Sequence, residues 1–577
     1  MADDARHPHR WGFADTRLVL DASGAVRMTG GRYPLAAHAM PYLVPHVEET
    51  LGVRLDPAEV LPDVAPSVPP SRMPPALAAA LEALIPAGRR STDAGVRLVH
   101  SHGQLSVGEV DRALYGGSFA RVADLVVEPV SEDEVRAIIA VAVEHGACVV
   151  PYGGGTNVSG ALTCPEGETR PIVSLDMRRM RRVLTLDLAN RRALVEAGIT
   201  GLELEAELGA VGWTSGHTPD SQEFSTLGGW ISTNASGMKK YRYGNIEDMV
   251  LEATLITPAG TVETHRPAAR TSTGMQSLSL LFGSEGNLGV ITKALIAIHP
   301  KPEVCRYDSV VFRTFDDGVA FLKALRETGV LPASIRLVSN SEFHFGQALR
   351  PASRGVRAWK DALQRRFLTG VLGFDTSVLA ACTVVMEGTK EEVALQQRTL
   401  RRLARRFRAV RAGAENGRRG YSLTFAIAYL RDFLSQFGVM GESFETSVPW
   451  DRIQDVCAAT RDALARECAA RGVAGRPYLS YRVTQTYHTG VCVYFTMAFS
   501  GKGLADPGGV FHDVEGALRQ VILDHGGSLS HHHGVGKLRS RFLDQVHTPA
   551  GLDLIRGAKR AVDPGNVFGI GNGACGR

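Results

Sequence analysis

The ten residues Pro151-Tyr152-Gly153-Gly154-Gly155-Thr156-Asn157-Val158-Ser159-Gly160 constrain this chain more than any other stretch. Three successive glycines permit positive φ and a close approach of backbone to ligand, so neighbouring N–H groups converge on one anion. Alone, such a run is usually a surface turn. Here it follows a strand-like run at 124–128, a capping box at Ser131 and Glu134, a helix from Val135 to His145 and a second apolar run from Cys148 to Val150. That lead-in makes the glycines a cradle for a diphosphate. The spacing fits neither Gly-x-Gly-x-x-Gly opening a helix nor Gly-x-x-x-x-Gly-Lys-Ser/Thr, so a dinucleotide fingerprint and a P-loop are both set aside.

With 577 residues, 44% of them hydrophobic, the chain can bury several cores. A balance of 64 basic against 60 acidic groups leaves a net charge of +4, which is no nucleic-acid footprint. The eight cysteines form no Cys-x-x-Cys pair, which argues against a zinc ribbon, an iron–sulfur site or a dense disulfide framework. No apolar leader and no run of about 18 apolar residues is present, so the expectation is a cytoplasmic protein. A proline-rich stretch from Asp56 to Pro75 reads as an extended linker.

From Arg121 to about Pro300, strand-like runs alternate with helices, as expected of an α+β domain. From about Glu303 to Ser500 the helical patterns lengthen, at Phe315–Arg326, Lys390–Val410 and Asp451–Arg471, and read as a separate substrate domain. The boundaries expected are 1–110 for a partly helical arm, 111–302 for a cofactor domain, 303–510 for a cap and 511–577 for a segment returning to the cofactor.

Three further segments rich in glycine and hydroxyl groups lie in the first domain: Gly216–Gly229, Ser232–Gly237 and Gly283–Gly289. Each offers small side chains, hydroxyl donors and accessible N–H groups, the chemistry that lines a long polar cofactor. The candidate cofactor residues are Pro151, Tyr152, Gly153, Gly154, Gly155, Thr156 and Asn157, then Asp220, Ser221, Phe224, Ser225 and Thr226. Thr233, Asn234, Ala235 and Ser236 follow, and then Glu285, Gly286, Asn287, Leu288, Gly289, Val290 and Ile291.

The four segments, in this order, resemble the FAD-binding domain of vanillyl-alcohol-oxidase-type flavoproteins. Within that class the chain is most similar to the alkyldihydroxyacetonephosphate synthase family. The likeness runs nearly end to end through Gly31-Arg-Tyr-Pro34, Glu223-Phe-Ser-Thr-Leu-Gly-Gly-Trp230, Ala235-Ser-Gly-Met-Lys-Lys240, Gly441-Glu-Ser-Phe-Glu-Thr-Ser447, Arg482-Val-Thr-Gln-Thr-Tyr487 and Ser528-Leu-Ser-His-His-His-Gly534. It implies an α+β fold: a two-subdomain FAD-binding domain, an α+β cap with an antiparallel sheet, and a helical N-terminal arm. It also implies exchange of the fatty acid of acyl-dihydroxyacetone phosphate for a long-chain alcohol, through a flavin N5 adduct and without net redox, in ether lipid synthesis. A homodimer is implied as well. The Ala- and Arg-rich composition suggests a bacterial member. Because the first glycine loop carries no histidine, the FAD is expected to be non-covalent.

By the resemblance, Tyr494 is the acid/base group, His531, His532 and His533 shape the flavin site and assist proton transfer, and Arg431 and Arg336 serve the substrate. The residues themselves leave other readings open. Tyr494 is also a good half-buried strand residue, and as a base its phenol requires a cation or hydrogen bond beside it. Three adjacent histidines do not readily converge on one ion, and no carboxylate or cysteine grouping completes a site, so no metal is expected. If the triple is extended, His531 and His533 share a face. Arg431 has Asp432 beside it as a surface ion-pair partner. The basic and apolar stretch 346–368 reads either as a solvated cap helix or as a peripheral membrane contact. Two alternatives stand beside the synthase: a flavin oxidase or dehydrogenase of hydroxy acids, and a flavin-binding protein without catalysis.

Overall fold

Ser131 starts the first long helix by accepting the Glu134 N–H at 3.2 Å. The expected reciprocal bond of a capping box is absent, because the Glu134 carboxylate takes Arg89 in a two-pronged pair (2.6 and 2.8 Å) and the Val130 N–H instead. A charge-assisted fork outcompetes one neutral backbone donor. The structure is a computed structural model that describes residues 5–104, 106–352, 366, 369–370 and 372–576. Most of the 346–368 stretch lies outside the described residues, and its membrane reading with it. No helix among the described residues is long and apolar enough to cross a membrane.

The chain divides into two units. The cradle unit comprises Pro8–Arg10, Asp63–Lys301 and His532–Arg577; the cap unit comprises Met1–His7, Trp11–Pro62 and Pro302–His531.

In the cradle unit, β1 (Arg90–Ser91), β2 (Leu125–Val127), α1 (Glu132–Glu144), β3 (Cys148–Tyr152) and β4 (Ile172–Asp176) build a four-stranded sheet of order β1-β2-β4-β3. Its last three strands are parallel. Val135, Ile138, Ile139 and Ala142, at helical spacing, bury α1 against Leu125, Val127, Val149 and Val173. The second sheet holds β5 (Val183–Asp187), β6 (Arg192–Glu196), α2 (Gly201–Ala210), α3 (Leu227–Thr233), β7 (Val250–Thr257), β8 (Gly260–Val262) and β9 (Val290–Ala297). Its strand order is β8-β7-β9-β6-β5, antiparallel throughout, with a separate core around Trp230, Leu204 and Leu255. Two sheets with two cores are the two subdomains the resemblance implies. The proline-rich stretch is no free linker: Val64 and Ser67 pair with the backbone around Tyr115 and Ser118.

The cap unit is built on one seven-stranded antiparallel sheet. Its elements are β10 (Val304–Phe312), α4 (Phe315–Glu327), β11 (Ser334–Val338), α5 (Asn340–Ala348), β12 (Ala380–Gly388), α6 (Lys390–Arg406), β13 (Val410–Arg411), α7 (Ile427–Ser435), β14 (Val439–Pro449), α8 (Ile453–Ala470), β15 (Ala474–Thr486), β16 (Gly490–Ser500) and α9 (Pro507–Asp524). The order is β13-β10-β12-β11-β15-β16-β14. α6 stops short of the expected Val410 because Arg408 turns left-handed (φ 50°) and the Ala409 N–H bonds back to the Ala404 carbonyl at 2.8 Å. The next two residues pair as a strand.

Phe444 of β14 stacks on Phe495 of β16 (5.1 Å between ring centroids), and Phe499 stacks on Phe511 of α9 (5.6 Å). These contacts seal one face of the sheet against helices. Each buried ring contributes roughly 1.5–3 kcal/mol. Because side chains alternate, Tyr494 is forced to the opposite face.

Candidate active site

The four glycine- and hydroxyl-rich segments come together within the cradle unit. A Cβ on Gly153 would stand 2.3 Å from the Thr226 hydroxyl, and one on Gly154 would stand 2.1 Å from the Phe224 carbonyl oxygen, so the first segment lies directly on the second. The Ser159 hydroxyl donates to Glu285 at 3.0 Å, joining first to fourth, and the Glu285 N–H donates to the Ser232 carbonyl at 2.8 Å, joining fourth to third. Thr226 caps α3 by accepting the Gly229 N–H.

Several buried polar atoms in these segments have no hydrogen-bond partner among the described residues: Tyr152 Oη, Asn157 Nδ2, Gln222 Oε1, Asn234 Oδ1 and Asn287 Oδ1. Unsatisfied buried groups are rare because each costs about 1–3 kcal/mol, so a cluster lining a glycine cradle awaits a polar ligand. Both donors and acceptors are among them, as a long cofactor with diphosphate, hydroxyl and ring-nitrogen groups requires.

Other predicted residues serve as supports. Ser225 accepts the Trp230 indole N–H (2.7 Å) and donates to the Ser221 carbonyl; Thr233 donates to the Gly229 carbonyl and Ser236 to Asn245. Leu288, Val290 and Ile291 are core side chains, leaving only their backbone for a ligand. Glu285 accepts the Gly536 N–H (2.7 Å) besides the Ser159 hydroxyl; burial raises its carboxyl above the ordinary range while these donors oppose the rise. Thr156 and Asp220 are half-buried.

His217 lies in the second segment and was not singled out by the sequence. It is 1% exposed, packs on Trp230 (4.7 Å), and has no hydrogen-bond partner on either ring nitrogen among the described residues. Burial pulls its pKa down to about 3. The folded chain therefore keeps it neutral while the unfolded chain protonates near 6.5, so its contribution is complete above 6.5 and is lost as pH falls toward 3. We predict that His217→Gln weakens the acid dependence of stability by about 2 kcal/mol between pH 7 and pH 5. Denaturant melts at the two pH values check this, and equal pH dependence in both proteins refutes it.

In the cap unit, register sets Glu445 of β14 and Arg482 of β15 directly across from Tyr494 of β16, on the face opposite the Phe444–Phe495 stack. Val493 and Phe495 are fully buried and Tyr494 half-buried, the alternation expected of a strand. The Arg482 guanidinium lies 4.1 Å from the Tyr494 ring centroid, supplying the cation the sequence argument required. Arg482 is held by Glu342 of α5 at 3.0 Å. Arg336, 7% exposed, falls on the same face by strand alternation. Arg431 is paired with Asp432 (2.9 Å), whose other oxygen accepts the Trp11 N–H, so the ion-pair reading of Arg431 is realised in a buried setting.

The triple histidine is not extended. It runs through bends; the His531 N–H donates to Glu445, its Nε2 shares a 2.6 Å bond with the Tyr487 hydroxyl, and the rings of His532 and His533 meet edge to face at 4.8 Å. Adjacent rings in contact exclude strand alternation. Glu445, Cys492 and His531 bring ligand-type atoms within 4.8 Å of one another, a grouping the sequence did not show. The Glu445 carboxylate is already taken up by the Ser530 hydroxyl and the His531 N–H. Glu445, Arg482 and Tyr487 sit inside motifs quoted for the resemblance, but only strand register reveals what they face.

Residues 123–266 match the FAD binding domain family, and residues 301–572 match the C-terminal domain of FAD linked oxidases. The alkyldihydroxyacetonephosphate synthase of Caenorhabditis elegans is 40% identical over 566 residues, 97% of this chain and 94% of that protein. That of Dictyostelium discoideum is 31% identical over 82% of this chain and 77% of its own length. A solved structure of alkyldihydroxyacetonephosphate synthase superposes with a TM-score of 0.84 at 27% identity, covering 97% of this chain and 98% of that one. The cradle's orphaned groups fit FAD, and FAD is the cofactor. Alike in sequence from end to end and in fold, the chain belongs to the alkyldihydroxyacetonephosphate synthase family.

Proposed function

We propose that this chain exchanges the acyl group of acyl-dihydroxyacetone phosphate for a long-chain alcohol, releasing a fatty acid and forming the ether bond of ether lipids. The observation that carries the reading is Tyr494, a phenol held on the cap sheet between a guanidinium and a carboxylate. FAD, held in the glycine cradle, would supply a nucleophilic ring nitrogen for the exchange of one oxygen substituent on the substrate carbon for another, with no electron acceptor consumed. Tyr494 takes a proton from that carbon and returns it, and Arg482 beside it favours the anionic phenol. Arg336 and Arg431 are the cations for the substrate phosphate, a planar fork matching its oxygens. His532 and His533 shape the cofactor site and assist proton movement. Without a histidine in the first glycine loop the FAD is held non-covalently, and acid precipitation leaves a colourless pellet. On the same likeness the protein is a homodimer; its composition makes it cytoplasmic, with membrane contact only at its periphery.

Purified protein incubated with acyl-dihydroxyacetone phosphate and a long-chain alcohol gives ether product and fatty acid in equal amounts without oxygen uptake. Oxygen consumption or dye reduction with a hydroxy acid, and no ether, overturns the proposal in favour of an oxidase or dehydrogenase. Bound FAD with none of these signals points to a protein without catalysis.

A further inference from the structure

We propose that Arg482, clamped by Glu342, is the positioning residue that sets the ionisation of Tyr494, an inference that rests on the acid/base reading of that tyrosine. Register places Arg482 and Tyr494 as direct partners on neighbouring strands, and the guanidinium carbon stands 4.1 Å from the ring centroid. Arg482 is 5% exposed, so its charge acts in a poorly screened setting. An unclamped arginine beside a phenol swings through several rotamers. Here one prong is fixed by the Glu342 carboxylate at 3.0 Å, which holds the cation over the ring.

Other charged and titratable groups are packed around the pair. Glu445, across β14 from the phenol, carries the opposite charge and is engaged by Ser530 and the His531 N–H. Cys492 lies two residues along the tyrosine's own strand. The elements packed on β15 bring His344 from α5, His46, Glu48 and Glu49 from the helix Leu43–Leu51, and Arg336 from β11. On α7, packed against β14, the charge of Arg431 is met by Asp432. On the opposite face, that of Phe444, Arg519 is met by Glu515. Arg482 is the cation that direct strand pairing sets against the phenol. Since an opposite charge within about 4–6 Å favours the charged form by one to three pH units, losing it moves the phenol's ionisation substantially.

The test is an ultraviolet titration of tyrosinate in the FAD-loaded enzyme, with the Tyr494 signal isolated by subtracting the Tyr494→Phe titration. In Arg482→Met the Tyr494 midpoint rises by at least about one pH unit, and the acid limb of kcat moves up with it. Arg482→Lys, which keeps the charge but loses the fork, shifts both by less. If the Met variant fails to fold, Arg482→Gln carries the same expectation. An unmoved midpoint in a folded, FAD-loaded variant overturns this inference, while loss of turnover in Tyr494→Phe leaves the acid/base reading intact. Full turnover by Tyr494→Phe removes that reading, and this inference with it.

Discussion

Tyr494→Phe yields a folded, FAD-loaded protein whose turnover is lower by roughly 10²–10⁴-fold, the usual contribution of a positioned acid/base group. The substitution removes one oxygen and leaves the ring. The strand is held from its other face, where Phe495 stacks on Phe444 and Val493 is fully buried, so the sheet has no cause to rearrange. The guanidinium of Arg482 still finds an aromatic face and its Glu342 partner. Stability is therefore expected within about 1–3 kcal/mol of the parent, the range for losing one hydroxyl with whatever hydrogen bond it makes. Ether-product kinetics beside FAD absorbance and a thermal melt separate the outcomes. Undiminished kcat excludes Tyr494 from the chemistry; a large loss of melting temperature shows a structural residue.

Gly154→Ala produces the second large effect, and on binding rather than on chemistry. The new methyl group would stand 2.1 Å from the carbonyl oxygen of Phe224 and 2.9 Å from the Cα of Ser225. Both are backbone atoms that no rotamer change can clear, so one of the two segments must move. Overpacking of this kind costs about 1–3 kcal/mol, and the shift falls on loops whose orphaned polar groups await the cofactor. We expect FAD affinity to fall at least about 100-fold, the equivalent of two steps of 1.4 kcal/mol. Fluorescence titration of the apoprotein with FAD measures it. Gly167→Ala is the control, since a Cβ there meets nothing within 4 Å, and unchanged affinity is expected. Equal affinities for Gly154→Ala and the parent exclude the close packing of the two segments as a requirement for binding.

Local chemistry made much of the cradle readable. Ser131, the apolar spacing of α1 and the apolar run into Tyr152 act within one or two turns of chain, and each produced the element it indicated. The failures have a common physical origin. Glu134 left its capping role for Arg89, 45 residues away, and α6 ended early at a left-handed Arg408, for which no glycine gave warning. Glu445 and Arg482 flank Tyr494 only because β14, β16 and β15 are hydrogen-bonded in one register, and a shift of one residue would turn either away. Such pairings are long-range and leave no local trace. His217 shows the same limit, for nothing in its neighbours indicates that both nitrogens are sealed from water.

The cradle unit is assembled from distant parts of the chain, and this bears on how the protein is made. The Val149 N–H donates to the carbonyl of Val567, and the ammonium of Lys537, which burial lowers to about 8, reaches the carbonyls of Gly160 and Ala161 and the side chain of Asn572. Asn572 in turn donates to the carbonyls of Ala161 and Glu285. The glycine loop is thus buttressed by residues synthesised some four hundred positions later. A ribosome releasing this chain N-terminus first leaves the loop unbraced until translation is almost finished, although its strand and helix can form early. Cofactor capture becomes a post-translational event, and nascent chains arrested before Lys537 are expected to emerge without flavin.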